Sequence, residues 1–359
     1  MALAPDPTEP RHATELIGHE TAEKQFLDAW NSGRLAHAWL IAGPRGIGKA
    51  TFAYRIARFI LAGGGGDSGG LFGGGGPESL VVSGDHPAVR RIAANGHPDL
   101  RVLERNWSAD GKKRQSEIPV DEVRRIGGFL ALTPAEGGWR VVIIDAADEL
   151  NRSGANAILK LLEEPPRNAL ILMISHSPDR LLPTIRSRCR RLMLRPLAED
   201  VVVTLLRRRL PEMSEADALG VARIAEGSIG RALDLVEGEG LSLYRSMIEL
   251  LGGLPRMDVN ALHSFADKVG GDEEKSRTVE NLFLRWLAVT AGRGNAASEV
   301  VAGEAALGQR LLASAGKDRW LELWDKAVHG FERAEAVNLD RKQVLLNTFL
   351  SLERAIRPS

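Results

Sequence analysis

Gly43-Pro44-Arg45-Gly46-Ile47-Gly48-Lys49-Ala50-Thr51 has the spacing of a phosphate-binding loop with one position altered. The G-x-x-x-x-G-K pattern is complete, and the apolar run Ala38 to Ala42 leads into it as a buried strand would. In such a loop the glycines let successive backbone N–H groups converge on phosphate oxygens, and the lysine ammonium meets the terminal ones. The next position normally carries a Ser or Thr hydroxyl that holds Mg²⁺. Here it is Ala50, which has no oxygen to offer. Thr51 follows, but it points about 100° further round the helix that the loop opens. The expectation is a loop that holds a nucleotide and is poorly equipped to hydrolyse it.

The flanks supply the context that such a loop needs. Thr21 to Ser32 reads as a helix with Phe26, Leu27 and Trp30 on one face, and Lys49 to Leu61 as a second with Phe52, Ile56, Phe59 and Ile60 inward. Residues 63–76, GGGGDSGGLFGGGG, are too glycine-rich for a packed element and read as a flexible surface insertion. Ser116 to Pro134 reads as a helix striped by Val120, Val123, Ile126 and Leu130. Trp139–Ile144 and Ala169–Ser175 read as buried strands. Asn151 is placed to cap a helix that Pro165-Pro166 stops. Continuous apolar strands alternating with helices argue for a parallel sheet covered on both faces. Beyond about Pro196 helical periodicity takes over. Trp320, Leu321, Leu323, Trp324, Val328 and Phe331, then Val344, Leu345, Phe349 and Leu352, read as core of a helical bundle.

Composition narrows the function classes. Of 359 residues, 44% are apolar and 26% charged, and Lys+Arg and Asp+Glu are both 47. A chain that grips nucleic acid alone usually shows a basic excess, so only weak DNA binding is expected of this one by itself. The single cysteine, Cys189, rules out an internal disulfide and a cysteine-rich zinc site. Met1 to Pro10 has no signal-peptide pattern, and no run approaches the roughly 18 apolar residues of a membrane span. The cytoplasm is the expected location.

Two further stretches carry candidate chemistry. Val141-Val142-Ile143-Ile144-Asp145 is an apolar strand ending in aspartate, the way P-loop proteins hold a metal. Ala146 follows, which can neither accept a proton nor hold a water, and Asp148 is read as a helix cap or as a substitute carboxylate. Ser187-Arg188-Cys189 places an arginine among Arg186, Arg190 and Arg191. It reads either as one solvated charge among many or as a finger reaching a neighbouring subunit's γ-phosphate.

The loop, the Asp145-Ala146-Ala147-Asp148 run, Leu159-Lys160-Leu161-Leu162-Glu163-Glu164-Pro165-Pro166 and Ser187-Arg188-Cys189 occur in this order in bacterial clamp-loader ATPases, which the chain resembles over residues 14 to 235. The stretches Arg34-Leu35-Ala36-His37-Ala38, Gly96-His97-Pro98-Asp99, Ile118-Pro119-Val120-Asp121 and Leu132-Thr133-Pro134 through Arg140 are similar to the delta-prime family of DNA polymerase III subunits. Asn338-Leu339-Asp340-Arg341-Lys342-Gln343 adds weaker support in the last third. The resemblance implies an α/β AAA+ module over residues 1–195, an all-α lid over 196–242 and an all-α collar domain over 243–359 that joins a hetero-pentamer.

The implied partners are the tau/gamma motor subunits and the delta subunit, with the sliding clamp and primed DNA reached through the complex. Members of the family act as stators. On that reading Arg188 works in trans on a motor's ATP, Gly43 to Thr51 and Asp145 form the nucleotide site, and Ser175, His176 and Arg231 are sensor candidates. For His176 a structural role stays open, and Arg231 stands one position from the motors' arginine. ATP is the implied ligand, weakly held or not hydrolysed, with magnesium only as its companion. The zinc module common in the family has no cysteines here. The alternative is an active motor subunit, with Thr51 and Asp148 standing in for the lost groups. A small-molecule P-loop kinase is a third reading, against which the long helical C-terminal third speaks.

Overall fold

The computed structural model of the chain describes residues 9–64, 76–108, 114–136, 138–293, 299–337 and 339–356. The chain divides into two compact units, Met1–Leu197 and Ala198–Ser359.

In the first unit, α1 (Glu20–Asn31), β1 (Ala38–Ala42) and α2 (Lys49–Leu61) follow one another as the apolar spacing predicts. Then come α3 (Pro87–Ala93), β2 (Leu100–Glu104), α4 (Val120–Ala131), β3 (Arg140–Asp145), α5 (Arg152–Glu163), β4 (Ala169–Ser175), α6 (Pro183–Arg188) and β5 (Arg190–Met193). The five strands form one parallel sheet in the order β2-β3-β4-β1-β5. Alternate residues of each central strand point to opposite faces. Trp39, Ile41, Val141, Ile143, Leu170 and Leu172 pack with α1 and α2. Leu40, Val142, Ile144, Ile171 and Met173 pack with α4 and α5. Both faces are therefore covered, which is why the central strands read as unbroken apolar runs. Each fully buried Ile, Leu or Val there contributes about 1.5–3 kcal/mol. Because the strands are parallel, their C-terminal ends share one edge of the sheet, and the loop after β1 sits on that edge.

Two strands were not read from the sequence. In β2 only Leu100 and Leu103 are buried, and in β5 only Leu192. Both are edge strands with one face toward solvent, so charged residues interrupt the apolar run.

Of the expected glycine insertion, residues 65–75 lie outside the described residues. Its two ends are fixed on α1. Gly64 sits at φ +64°, where a Cβ would fall 2.0 Å from the Trp30 ring, and a Cβ at Gly76 would fall 2.2 Å from Asn31 Oδ1. The Asn31 side-chain amide donates to the Pro77 carbonyl at 3.1 Å.

The second unit is helical among its described residues: α7 (Glu199–Arg209), α8 (Glu215–Ala225), α9 (Ile229–Glu237), α10 (Gly240–Gly252), α11 (Val259–Gly270), α12 (Glu273–Arg293), α13 (Glu304–Ala315), α14 (Lys317–Ala336) and α15 (Arg341–Ile356). Its core is aromatic. Phe283 stacks on Phe349 at 4.9 Å, and Trp286 meets Trp320 edge-on at 5.6 Å. The Trp320 indole N–H donates to the Leu287 carbonyl, so its one polar atom is satisfied in the core. Trp320, Leu323, Phe331, Leu345, Phe349 and Leu352 are buried as expected, but Leu321 is 48% exposed and is not core. It neighbours Trp320 in sequence, and adjacent helix positions do not share a face.

Candidate functional site

β1 delivers the chain to Gly43, whose N–H donates to the Ser175 carbonyl at 3.2 Å. Gly43 has φ +152°, and a Cβ there would lie 2.4 Å from the Leu194 carbonyl oxygen, so no other residue fits without a shift. Gly46 and Gly48 also take positive φ, at +72° and +99°. From below, the buried His19 Nε2–H donates to the Ile47 carbonyl at 2.6 Å. Burial holds the His19 pKa below its ordinary value, so the ring is a neutral strut. Lys49, the first residue of α2, is folded into the loop. Its Nζ donates to the carbonyls of Gly43 at 2.6 Å and of Pro44. Burial lowers the Lys49 pKa to about 8, against the opposing pull of Asp145 and Asp148. These carbonyls stand in for the oxygens that a bound phosphate would offer, and the helix N-terminus adds its partial positive charge.

At the end of β3, Asp145 is pushed up to about 6 by burial first, then by Glu104 and Glu149, with Lys49 pulling the other way. Ala146 is 1% exposed and apolar, so nothing at that position takes a proton from water. Asp148 does not cap α5. Asn151 does, its Oδ1 accepting from the Gly154 N–H at 2.7 Å. Asp148 instead accepts from Ser175 Oγ at 2.7 Å and from the His176 backbone N–H, tying the end of β4 to the turn after β3. Both sensor candidates of the first unit thus reach the loop's edge of the sheet, but the Ser175 hydroxyl is already engaged. His176 Nδ1 is buried without a hydrogen-bond partner. Burial, Lys49 and Arg45 lower the His176 pKa to about 4.

The sequence reading missed Glu149 and Arg105. The Glu149 carboxylate receives Arg45 Nη2 at 3.1 Å and Arg105 Nε at 2.8 Å. With Asp145 and His176 they line a cleft of about 350 Å³ beside the loop. Glu149 is four residues beyond the strand's aspartate, a visible signal. Arg105 follows the unrecognised edge strand β2 and had none.

The loop fits a polyphosphate: positive-φ glycines, a buried lysine and a helix N-terminus converge on it. It does not fit a magnesium ion held by protein in the usual way, because Ala50 is a methyl group where the hydroxyl belongs. Among the described residues no group of three His, Cys, Asp or Glu side chains is arranged to hold a metal. Cys189 is buried against the Met173 sulfur at 3.8 Å, and burial pushes its thiol up to about 12, so it is inert.

Arg188 ends α6. Its guanidinium is about a third exposed (36%), pairs with Glu163 Oε1 at 2.8 Å and donates to the Thr184 carbonyl at 3.1 Å. Arg231 lies in the second unit, in the first turn of α9. The Ser228 hydroxyl caps that turn by accepting from the Arg231 N–H.

The motifs around Gly96–Asp99 and Leu132–Arg140 form a scaffold on the other edge of the sheet. Asp99 accepts from the N–H groups of Ala135 at 2.9 Å and Glu136 at 3.2 Å. His97 Nδ1 accepts from the Asp99 N–H. Arg140 lies 3.5 Å from Asp99, donates to the Phe129 and Thr133 carbonyls, and stacks over the Phe129 ring. These residues precede β2 or open β3, so they pin the start of the strands whose far ends carry the site.

A glycine loop between β1 and α2, an aspartate ending β3 and the strand order β2-β3-β4-β1-β5 define an AAA+ type P-loop α/β module joined to a helical unit. The chain belongs to the family described as DNA polymerase III, delta subunit, whose profile matches residues 18–198. It is 34% identical over 213 residues to the DNA polymerase III subunit delta' of Pseudomonas aeruginosa, covering 59% of each chain. It is 30% identical over 228 residues to the Escherichia coli subunit delta', covering 64% of this chain and 63% of that one. A DNA polymerase III subunit gamma from Buchnera aphidicola is 28% identical over 255 residues, 68% of this chain and 65% of its own. The chain thus spans about three fifths of the length of the delta' relatives it matches. The delta-prime resemblance carried by the scaffold motifs is borne out.

Proposed function

We propose that this chain is a clamp-loader stator of the delta-prime type: a subunit that helps ATP-driven loading of a sliding clamp onto primed DNA without being a strong ATPase itself. Its partners on this reading are tau/gamma motor subunits and a delta subunit in a hetero-pentamer. The clamp and DNA are reached through the complex, and the setting is the cytoplasm. Among the described residues no helix is long and apolar enough to cross a membrane. The helical unit divides on this reading into a lid, residues 196–242, and an oligomerising collar, residues 243–359. Gly43 to Thr51 and Asp145 form a nucleotide pocket on this reading, with Ser175 and His176 beside it, and Arg231 of the second unit is the third sensor candidate.

The observation that carries the proposal is Arg188. It is exposed at the tip of α6 and held by Glu163 and the Thr184 carbonyl among the described residues, while its own module has alanine at both catalytic positions. A guanidinium paired at the surface to the half-exposed Glu163 carboxylate can exchange that partner for a neighbour's phosphate. Against the motor reading, each Asp148 oxygen already accepts a hydrogen bond, which weakens it as a substitute base.

The test is the Arg188→Ala variant reconstituted with motor and delta subunits. The variant should fold normally and assemble. ATP turnover of the complex should fall at least a hundredfold, in line with the roughly 10³–10⁵ that such fingers contribute. Unchanged turnover would remove the finger assignment. Steady-state hydrolysis by the isolated chain, abolished by Lys49→Ala, would restore the motor reading.

A further inference from the structure

One carboxylate at this site does the work of a phosphate. Glu149 is side-chain buried to 14% exposure and holds two guanidinia at once, Arg45 at 3.1 Å and Arg105 at 2.8 Å. Arg45 is held by this ion pair although its side chain is 69% exposed. Lys49 supplies a third positive charge from inside the loop. His176 Nδ1 is buried at the same cleft without a partner. A nucleoside polyphosphate carries several negative charges that some set of cations must neutralise. In hydrolysing P-loop enzymes a magnesium ion held by the loop hydroxyl takes much of that load. Ala50 removes the hydroxyl; of the four arginines that line the cleft, Arg11 and Arg114 pair with Glu9 and Glu104, whereas Arg45 and Arg105 share the one carboxylate of Glu149, and Asp145 is the fourth carboxylate of the lining.

We propose that this chain binds a nucleoside polyphosphate without a divalent cation, Arg45 and Arg105 leaving Glu149 to take the phosphate oxygens that magnesium would otherwise cover. The inference rests on the nucleotide reading of the loop and says how that pocket is charged. Planar guanidinia suit the exchange, since a carboxylate and a phosphate present the same spacing of acceptors to them. Magnesium complexed to free nucleotide ties up those oxygens, so it competes with the arginines rather than assisting them. The pocket is then an occupied site with no Lewis acid, which agrees with a subunit that does not turn ATP over.

The test is calorimetric titration of the full chain with ATP and with ADP, once in excess EDTA and once in excess Mg²⁺. Affinity in EDTA should equal or exceed that in Mg²⁺. Arg45→Gln and Arg105→Gln should each weaken binding in EDTA roughly tenfold, the scale of a lost charge-assisted hydrogen bond. Glu149→Gln should strengthen it several-fold by releasing both arginines. Arg45 is exposed enough that its substitution leaves folding intact. Binding that needs Mg²⁺ and is lost in Lys49→Ala would overturn this proposal and leave the nucleotide reading standing. No binding in either buffer would overturn both.

Discussion

His176 shows what single side chains do in this module. Its ring is neutral in the fold, with a pKa near 4 against an ordinary 6.5. It therefore contributes stability that is complete above pH 6.5 and is lost as the pH falls toward 4. Asp145 runs the other way. Raised to about 6, its contribution is complete below its ordinary 3.8 and is lost as the pH rises through 6. Substituting His176→Gln should remove on the order of 2 kcal/mol of the acid-side loss, a figure set by a shift of this size and partial solvent access. Urea midpoints of both proteins between pH 4 and 7 would show it, and superimposable profiles would mean that the ring titrates freely.

The site was half legible at this scale. Lys49, its glycines and Asp145 announce themselves because their spacing is dictated by backbone geometry around a phosphate. The Asp148 link to Ser175 and His176 joins segments 27 and 28 residues apart. The Arg105–Glu149 pair spans a longer gap still, and no local pattern encodes such contacts.

Among the elements, the sharpest division of labour is between the two edges of the sheet. The C-terminal edge carries the loop, Asp145 and the Ser175–His176 turn. The opposite edge is fastened by Asp99 and Arg140, which are 1% and 6% exposed. Arg140→Met would leave the buried Asp99 short of a positive neighbour and remove a donor from each of the Phe129 and Thr133 carbonyls. A loss of about 3 kcal/mol is expected, typical of a broken buried pair. The urea midpoint should drop while the nucleotide affinity of the folded protein stays within twofold, because the loop is carried at the far ends of the strands. A parallel loss of affinity would show that the two edges are coupled. Central elements were readable: β1, β4 and α2 have the bounds that their apolar runs give. The helix expected over Ser116 to Pro134 is trimmed to Val120–Ala131, since Pro119 opens it and Ile118 pairs with Leu150 instead. Edge strands stayed hidden because one-sided burial leaves their sequences mixed.

For the molecule as a whole, two cores are built on different principles, one a sheet between helical layers and the other a helical bundle with stacked aromatics. Each has enough buried apolar surface for its own cooperative transition. On the nucleotide reading, calorimetry with ligand at about 100 times its Kd should stabilise the unfolding of the first unit by roughly 2.7 kcal/mol and leave the second transition in place. A joint shift of both transitions would mean that the units unfold as one. The helical character of the second unit was plain from periodicity, but the pairing of Phe283 with Phe349 was not, because helix order in a bundle is set by packing rather than by any one segment.

The two glycines pressed against Trp30 and Asn31 have a practical consequence. The backbone departs and returns beside neighbouring residues at the end of one helix, so a compact guest protein whose own termini lie close together can be spliced in between. Grafted there, a fluorescent or electron-dense label would mark where this polypeptide sits within a larger particle while leaving the loop and the arginine at the tip of α6 untouched.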